Sequence, residues 1–325
     1  MMNKQDATVI TSALQWLNEE KEFWLCTIIS SKGASVRSLG SLFAYDGESK
    51  KGFISESRSD DAFCKLLNQS FFKGEVNYFT YGNQLINEDE SLIIPCCGNV
   101  TLMIEKIKPS NETFELFTKW NTYIEKRVSF RRLINKKTNK TKFQKYSLSP
   151  SYENENVKIE DNKIEITYLP IIQVLLVGAT PVSKQLAKLS TQLGYMVKLC
   201  ESRKLFLDNL KYEGINNTFE LCEQSSDSFV NKYVDKYTAV LVLAHDPTID
   251  DDAVSSALSS NSFYIGAIGS KKNCDKRILR LKEKGFSEYL TLKLHAPIGL
   301  GINSQTPDEI AISIISQLIS LKPTL

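Results

Sequence analysis

The stretch LLVGATPVSKQLAKLSTQLGYMVKLCESR, from Leu175 to Arg203, constrains the chain more than any other. An apolar run turns at a glycine, helical spacing follows, and a second apolar run closes on an acid. That is the outline of a dinucleotide-binding βαβ unit. In the fingerprint G-x-G-x-x-G the first glycine makes the tight turn and the second lets backbone approach a pyrophosphate. The third lets the helix pack against the strand. Here the six positions read Gly178, Ala179, Thr180, Pro181, Val182 and Ser183. The turn glycine is kept. Thr180 puts a β-branched side chain where a phosphate needs bare backbone, and Pro181 removes an N–H from the helix start. Ser183 is small enough to keep the packing. Glu201 ends the second strand at the spacing of a ribose-binding acid, a place that exposed loop acids also occupy. The pattern predicts the dinucleotide shape with a weakened hold on pyrophosphate.

The rest of the second half repeats this grammar. YLPIIQVLLVG, YMVKLCES, YTAVLVLAHD and FYIGAIGS are apolar runs suited to strands buried on both faces. Val182, Leu186, Leu189 and Leu193 are spaced for one helix face. Thr306, Pro307 and Glu309 form a capping box with proline at the first helical position, and Ile310, Ile314, Leu318 and Leu321 are expected to pack inward. Residues 166–325 are therefore expected to form a Rossmann-type domain, a parallel sheet covered on both faces.

Residues 1–108 are expected to form an α+β module. A helix around Thr8 to Asn18 precedes the β-rich EFWLCTIISSKG and a meander through GSLFAYDG and KGFIS. DDAFCKLLNQSFFKG reads as a helix stopped by Gly74, and VNYFTYG and NVTLMIEKI as strands. Residues 109–165 read as a helix from Ser110 to Arg127, then a polar linker. KKTNKTKFQKYSLSPSYENENVKIEDNK is rich in Asn and Lys and poor in branched apolar residues. The fold class is α/β, an N-terminal α+β module plus a C-terminal Rossmann-type domain.

Composition narrows the function. A net charge of +2 over 325 residues gives no electrostatic case for nucleic acid or an anionic membrane as partner. No apolar run approaches the length of about 20 residues that spans a bilayer. The N-terminal MMNKQDATVITSALQWLNEE reads as an amphipathic helix, so a cytoplasmic location is expected. Seven cysteines without C-x-x-C spacing suit a reducing compartment better than a structural zinc site. Two histidines, His245 and His295, exclude chemistry that needs several imidazoles on one chain.

Several positions divide between a binding role and a plainer one. Cys96 and Cys97 read as a cofactor-contacting thiol pair or as small apolar turn residues, and neighbours in sequence do not form a relaxed disulfide. His245 and Asp246 close a parallel strand at the edge where such folds bind ligands, though loop hydrogen-bonders also sit there. Gly266, Gly269, Ser270 and Lys271 form a strand-to-helix turn that reads as a phosphate cradle or as a turn with solvated lysines. His295 is open between site and turn. Asp250, Asp251 and Asp252 resemble a metal cluster, but an acidic first turn favoured by the helix dipole accounts for them better.

VLAHDPTIDD, FYIGAIGSKKN and LHAPIGLGINSQTPDEIAISI follow one another at Rossmann-like intervals. Together they resemble the C-terminal domain of the xanthine dehydrogenase accessory factor family (XdhC/CoxI). WLCTIISSKGASVRSLGSLFAYDGE is similar to that family's opening strand and Gly-rich turn. KGFIS leads into its first cysteine loop, and CCGNVTLMIE is similar to its second. The resemblance implies a divergent member, a maturation factor rather than a metabolic enzyme. It would bind the molybdenum cofactor, assist its sulfuration with a cysteine desulfurase, and deliver it to a molybdenum hydroxylase such as xanthine dehydrogenase. A homodimer is implied as well.

The cofactor-binding candidates are Cys96, Cys97, Arg58, Gly178, Glu201, His245, Asp246, Gly266, Gly269, Ser270, Lys271 and His295, with no catalytic residue or metal ligand assigned. The sequence departs from the family in places. Its first loop, Ile-Ser-Gly-Gly-Cys-Val-Glu, reads Ile54, Ser55, Glu56, Ser57, Arg58, Ser59, Asp60 here. Arginine cannot be a soft ligand, but its planar fork suits a phosphate. Two other readings stay open. One is an NAD(P)-dependent oxidoreductase, favoured by Gly178 and Glu201 and opposed by Thr180 and Pro181. The other is a degenerate paralogue acting through protein contacts alone, favoured by Arg58.

Overall fold

The computed structural model describes residues 2–32, 37–55, 58–69, 71–81, 83–87, 90–93, 99–146, 156–206 and 219–323, with backbone alone at 58–59, 81, 83–87 and 90–93. The chain divides into two compact units that meet in sequence at Pro170 and Ile171.

In the first unit, helix α1 (Lys4–Asn18) starts at an Asn3–Asp6 capping box. Strand β1 (Phe23–Lys32) lies at the centre of an antiparallel sheet with β2 (Leu42–Tyr45), β3 (Lys50–Gly52), β4 (Val76–Tyr81) and β7 (Asn99–Ile107), in the order β3-β2-β1-β7-β4. Strands β5 (Asn83–Asn87) and β6 (Glu90–Ile93) form a separate antiparallel pair. The two-residue period of β1 sends alternate side chains to opposite faces. Trp24, Cys26 and Ile28 join a core with Phe63 and Leu67 of helix α2 (Arg58–Asn68). Phe23 instead meets Trp16 of α1 at 5.4 Å and Phe117 of α3 (Asn111–Glu125) at 5.6 Å between ring centroids.

The segment expected as a linker differs from that expectation. Helix α3 stands where a helix was expected, but the described part beyond it carries a second antiparallel sheet, β8 (Phe130–Asn135), β9 (Thr141–Lys145), β10 (Val157–Ile159) and β11 (Lys163–Tyr168), in the order β10-β11-β8-β9. A strand with one wet face needs an inward side chain only at every second position, so Lys and Asn can fill the others. Phe130, Ile134, Ile164 and Ile166 supply the buried row, with Trp120 against Phe143. Arg132, buried in the same row, is paired with Glu105 of β7 at 2.5 Å. Ile166 to Tyr168 thus belong to β11 of the first unit, and the Rossmann strands begin later, at Gln173.

The second unit alternates strand and helix. It runs β12 (Gln173–Val177), α4 (Pro181–Gln192), β13 (Met196–Cys200), β14 (Glu220–Cys222), α5 (Ser226–Tyr233), β15 (Thr238–Val242) and α6 (Pro247–Leu258). It continues with β16 (Tyr264–Ala267), α7 (Lys271–Glu283), α8 (Glu288–Thr291), β17 (Leu294–His295) and α9 (Pro307–Leu321). The sheet is parallel throughout, ordered β14-β13-β12-β15-β16-β17. Numbered within the unit this is 3-2-1-4-5-6, the doubly wound dinucleotide order, whose crevice opens where the winding reverses, between β12 and β15. Leu175, Val177, Val240 and Val242 pack on one face with Phe229 of α5 and Val254 of α6. Helix α4 covers β12 and lies against α9, whose Ile314 and Leu318 are buried. Leu193 and Leu321, expected inward, are exposed because each lies at or beyond the last turn of its helix.

Candidate functional site

Two features stand at the C-terminal edge of the parallel sheet, and the first is the crevice between β12 and β15. Gly178 turns the chain at φ +97°. A Cβ there would lie 2.4 Å from Cα of Ala244, so only glycine fits. The Ala179 N–H donates to Oε2 of Glu201 at 2.8 Å. Thr180 caps α4: the Ser183 N–H donates to its Oγ1 at 3.2 Å, and the Thr180 N–H donates back to Ser183 Oγ at 3.3 Å. Glu201 is only 2% exposed. Arg203 grips both its oxygens, from Nε at 2.8 Å and Nη2 at 2.7 Å, and donates from Nη1 to the Ala244 carbonyl at 3.2 Å. Burial pushes the Glu201 carboxyl up, but the Arg203 fork and the Ala179 N–H outweigh it and hold the pKa below the usual value.

The second feature lies beside β15 and β16. A cavity of about 340 Å3 is lined by His245, Pro247, Asp250, Ile268, Gly269, Asn273, Lys276, Arg277 and Arg280. His245 sits exposed at its rim in the left-handed region, at φ +58°. The Asp246 carboxylate caps α6 by accepting from the N–H groups of Thr248 and Ile249. Behind the cavity lies a charge network. Arg277 donates to Asp250 at 2.8 Å, to Asp251 at 3.2 Å and to the Ile268 carbonyl at 3.2 Å, while Arg280 donates to Asp251.

Burial pushes the Asp250 carboxyl up to about 6, against the pull of Arg277 and the Ala244 N–H. A carboxyl raised in the folded state binds its proton more tightly there than in the unfolded chain. Its contribution to stability is therefore full below the unfolded value of 3.8 and is lost as pH rises through about 6. Carbon-13 carboxyl shifts should show Asp250 titrating near pH 6 and Glu201 below the ordinary glutamate range.

The other expected site residues fall in varied places. Gly269 lines the cavity, Ser270 caps α7 by accepting from the Asn273 N–H, and Lys271 opens that helix, exposed. Gly266 is buried within β16, where a Cβ would meet Ile298 at 2.5 Å, so its bare backbone serves packing rather than a cradle. His295 stacks on Tyr264 with centroids 4.8 Å apart, burial lowers its pKa, and it is not among the residues lining the cavity. Arg58 stands at the start of α2, but its side chain is outside what is described, and Cys96 and Cys97 lie outside the described residues. Asp60 ties the first loop down, accepting from the N–H groups of Ile54 and Ser55 at 3.1 Å each. Asp250 and Asp251 face arginines, and among the described residues no cluster of His, Cys, Asp and Glu could hold a metal.

Sequence reasoning missed Lys276, Arg277 and Arg280. Their signal was the i, i+3 spacing of Arg277 and Arg280 on the helix after the Gly269 turn, one helix beyond two adjacent acids. Among the described residues no helix is long and apolar enough to cross a membrane.

Strand order and crevice define the second unit as a Rossmann-type domain. Residues 174–318 match the XdhC Rossmann domain, and the resemblance read from the motifs holds. The molybdenum cofactor insertion chaperone PaoD of Escherichia coli (strain K12) is 21% identical over 97% of this chain and 88% of its own length. A probable xanthine dehydrogenase subunit of Bacillus subtilis (strain 168) is 26% identical over 47% of this chain and 44% of its own. A crystal structure described as a xanthine dehydrogenase from Bacillus halodurans superposes with a TM-score of 0.71 at 20% identity, over 96% of this chain and 95% of that one. That likeness shows a shared fold across both units.

Proposed function

We propose that this protein is a molybdenum-cofactor insertion chaperone that serves a molybdenum hydroxylase. The observation that carries the reading is the alignment with PaoD over 97% of this chain, which takes in both units rather than the Rossmann domain alone. The cargo is a pterin that bears a phosphate. The cavity beside β15 suits its phosphate end: Lys276, Arg277 and Arg280 are cationic, and Gly269 and Asn273 bring the start of α7 to the same wall. At about 340 Å3 it is near the lower end of small-molecule sites and too small for an extended dinucleotide.

In this reading Lys276 and Arg280 hold the phosphate, while Arg277 stays with Asp250 and Asp251 and keeps the wall in place. His245 offers a hydrogen bond at the rim. Cys96 is assigned as the soft contact to molybdenum on the chemistry of thiolates alone. A cysteine desulfurase as sulfur source and a homodimeric state belong to the same reading. Asp246 and Ser270 contribute by capping the two helices that frame the cavity.

The test is maturation. An apo molybdenum hydroxylase is given limiting released cofactor with and without the protein. The protein should raise the activity recovered, and a His245→Ala, Lys276→Ala double variant should lose most of that gain while keeping its melting temperature. Equal recovery with and without the protein would rule the reading out.

A further inference from the structure

We propose that Glu201 is the chain's own occupant of the diphosphate position in the β12–β15 crevice, and that with Arg203 it makes the second unit reject dinucleotides. In a working dinucleotide fold the N–H groups after the turn glycine and at the helix start meet the pyrophosphate, and the strand-end acid meets the ribose. Here, apart from the Val182 N–H, those groups are committed within the chain or missing. The Ala179 N–H donates to Glu201, the Thr180 and Ser183 N–H groups are used in the cap, and residue 181 is a proline without an N–H.

The acid is equally committed. Both its oxygens are held by Arg203, which is also tied across the crevice to Ala244. A carboxylate that accepts from the N–H just before the helix cap takes up a donor that a phosphate would otherwise use. A dinucleotide would have to expel a buried ion-paired carboxylate. Glu201 plays this part whatever the cavity beside His245 takes.

The experiment combines a nicotinamide titration of the wild-type protein with chemical rescue of Glu201→Ala. Wild type should give no saturable change in NADH or NADPH fluorescence. Glu201→Ala leaves the Arg203 fork and the Ala179 N–H facing a space the size of a carboxylate, so its melting temperature should drop by roughly 10 °C. Acetate or formate should restore part of that drop, whereas chloride at equal ionic strength should not. Glu201→Gln fills the space with an amide, so acetate should leave its melting temperature unchanged. Saturable NADH or NADPH binding to wild type would overturn the proposal, and so would equal responses of the two variants to acetate. If Glu201→Ala does not fold, the wild-type titration still decides.

Discussion

Replacing Arg277 by Met should destabilise the second unit by about 3–5 kcal/mol, the usual cost of removing one partner from a buried ionic network. Arg277 is 6% exposed and holds Asp250, Asp251 and the Ile268 carbonyl together. Without it Asp251 keeps Arg280, but the charge on Asp250 is left with the Ala244 N–H alone. Asp250 can then escape by taking up a proton. The penalty should therefore be smaller at pH 5 than at pH 8, where protonation is costly. Urea unfolding of wild type and variant at both pH values reads this directly. Arg277→Lys should recover only part of the loss, because an ammonium cannot span three acceptors with a planar fork. Equal midpoints for wild type and Arg277→Met at pH 8 would contradict this account.

Gly178→Ala is expected to cost about 4 kcal/mol, combining a left-handed backbone that disfavours a side chain with an overpacked contact. The φ of +97° and the 2.4 Å approach of an added methyl to Ala244 act together, because the strand end can relieve neither without opening the sheet. Gly301 is the natural control. A methyl there meets nothing within 4 Å, and its substitution by alanine should fall within about 0.5 kcal/mol of wild type. Denaturant midpoints of the two variants, measured side by side, check both expectations.

The pairing of turn glycine with apolar strands made the second unit legible, because parallel strands buried on both faces leave little compositional ambiguity. Gly178 announced the turn, and Thr306, Pro307 and Glu309 announced the last helix, each through a local rule that tertiary context did not override. The second sheet of the first unit was hidden for the opposite reason. Its strands put Lys and Asn on the wet face, and their apolar half is carried by few residues, such as Phe130, Ile134 and Ile166. Composition averaged over such a stretch looks like a linker.

The site was only partly legible. His245 and Gly269 could be placed at the sheet edge from sequence, since strand ends set the edge. Glu201 was visible as an acid at the right spacing, but its inward turn depends on Arg203, two residues on, and on the Ala244 carbonyl across the crevice. Arg277 and Arg280 belong to a helix whose partners, Asp250 and Asp251, come from another helix. Pairings of that kind have no local sequence rule.

The most direct test of the chaperone reading is cofactor retention. The reduced protein is incubated with molybdenum cofactor released from a donor enzyme, free cofactor is removed by gel filtration, and the retained pterin is oxidised to its fluorescent form. NADH is run in parallel. The account predicts pterin fluorescence that co-elutes with the protein and falls in the His245→Ala, Lys276→Ala variant, with no NADH retained. Retention of NADH without pterin, or of neither, would contradict it.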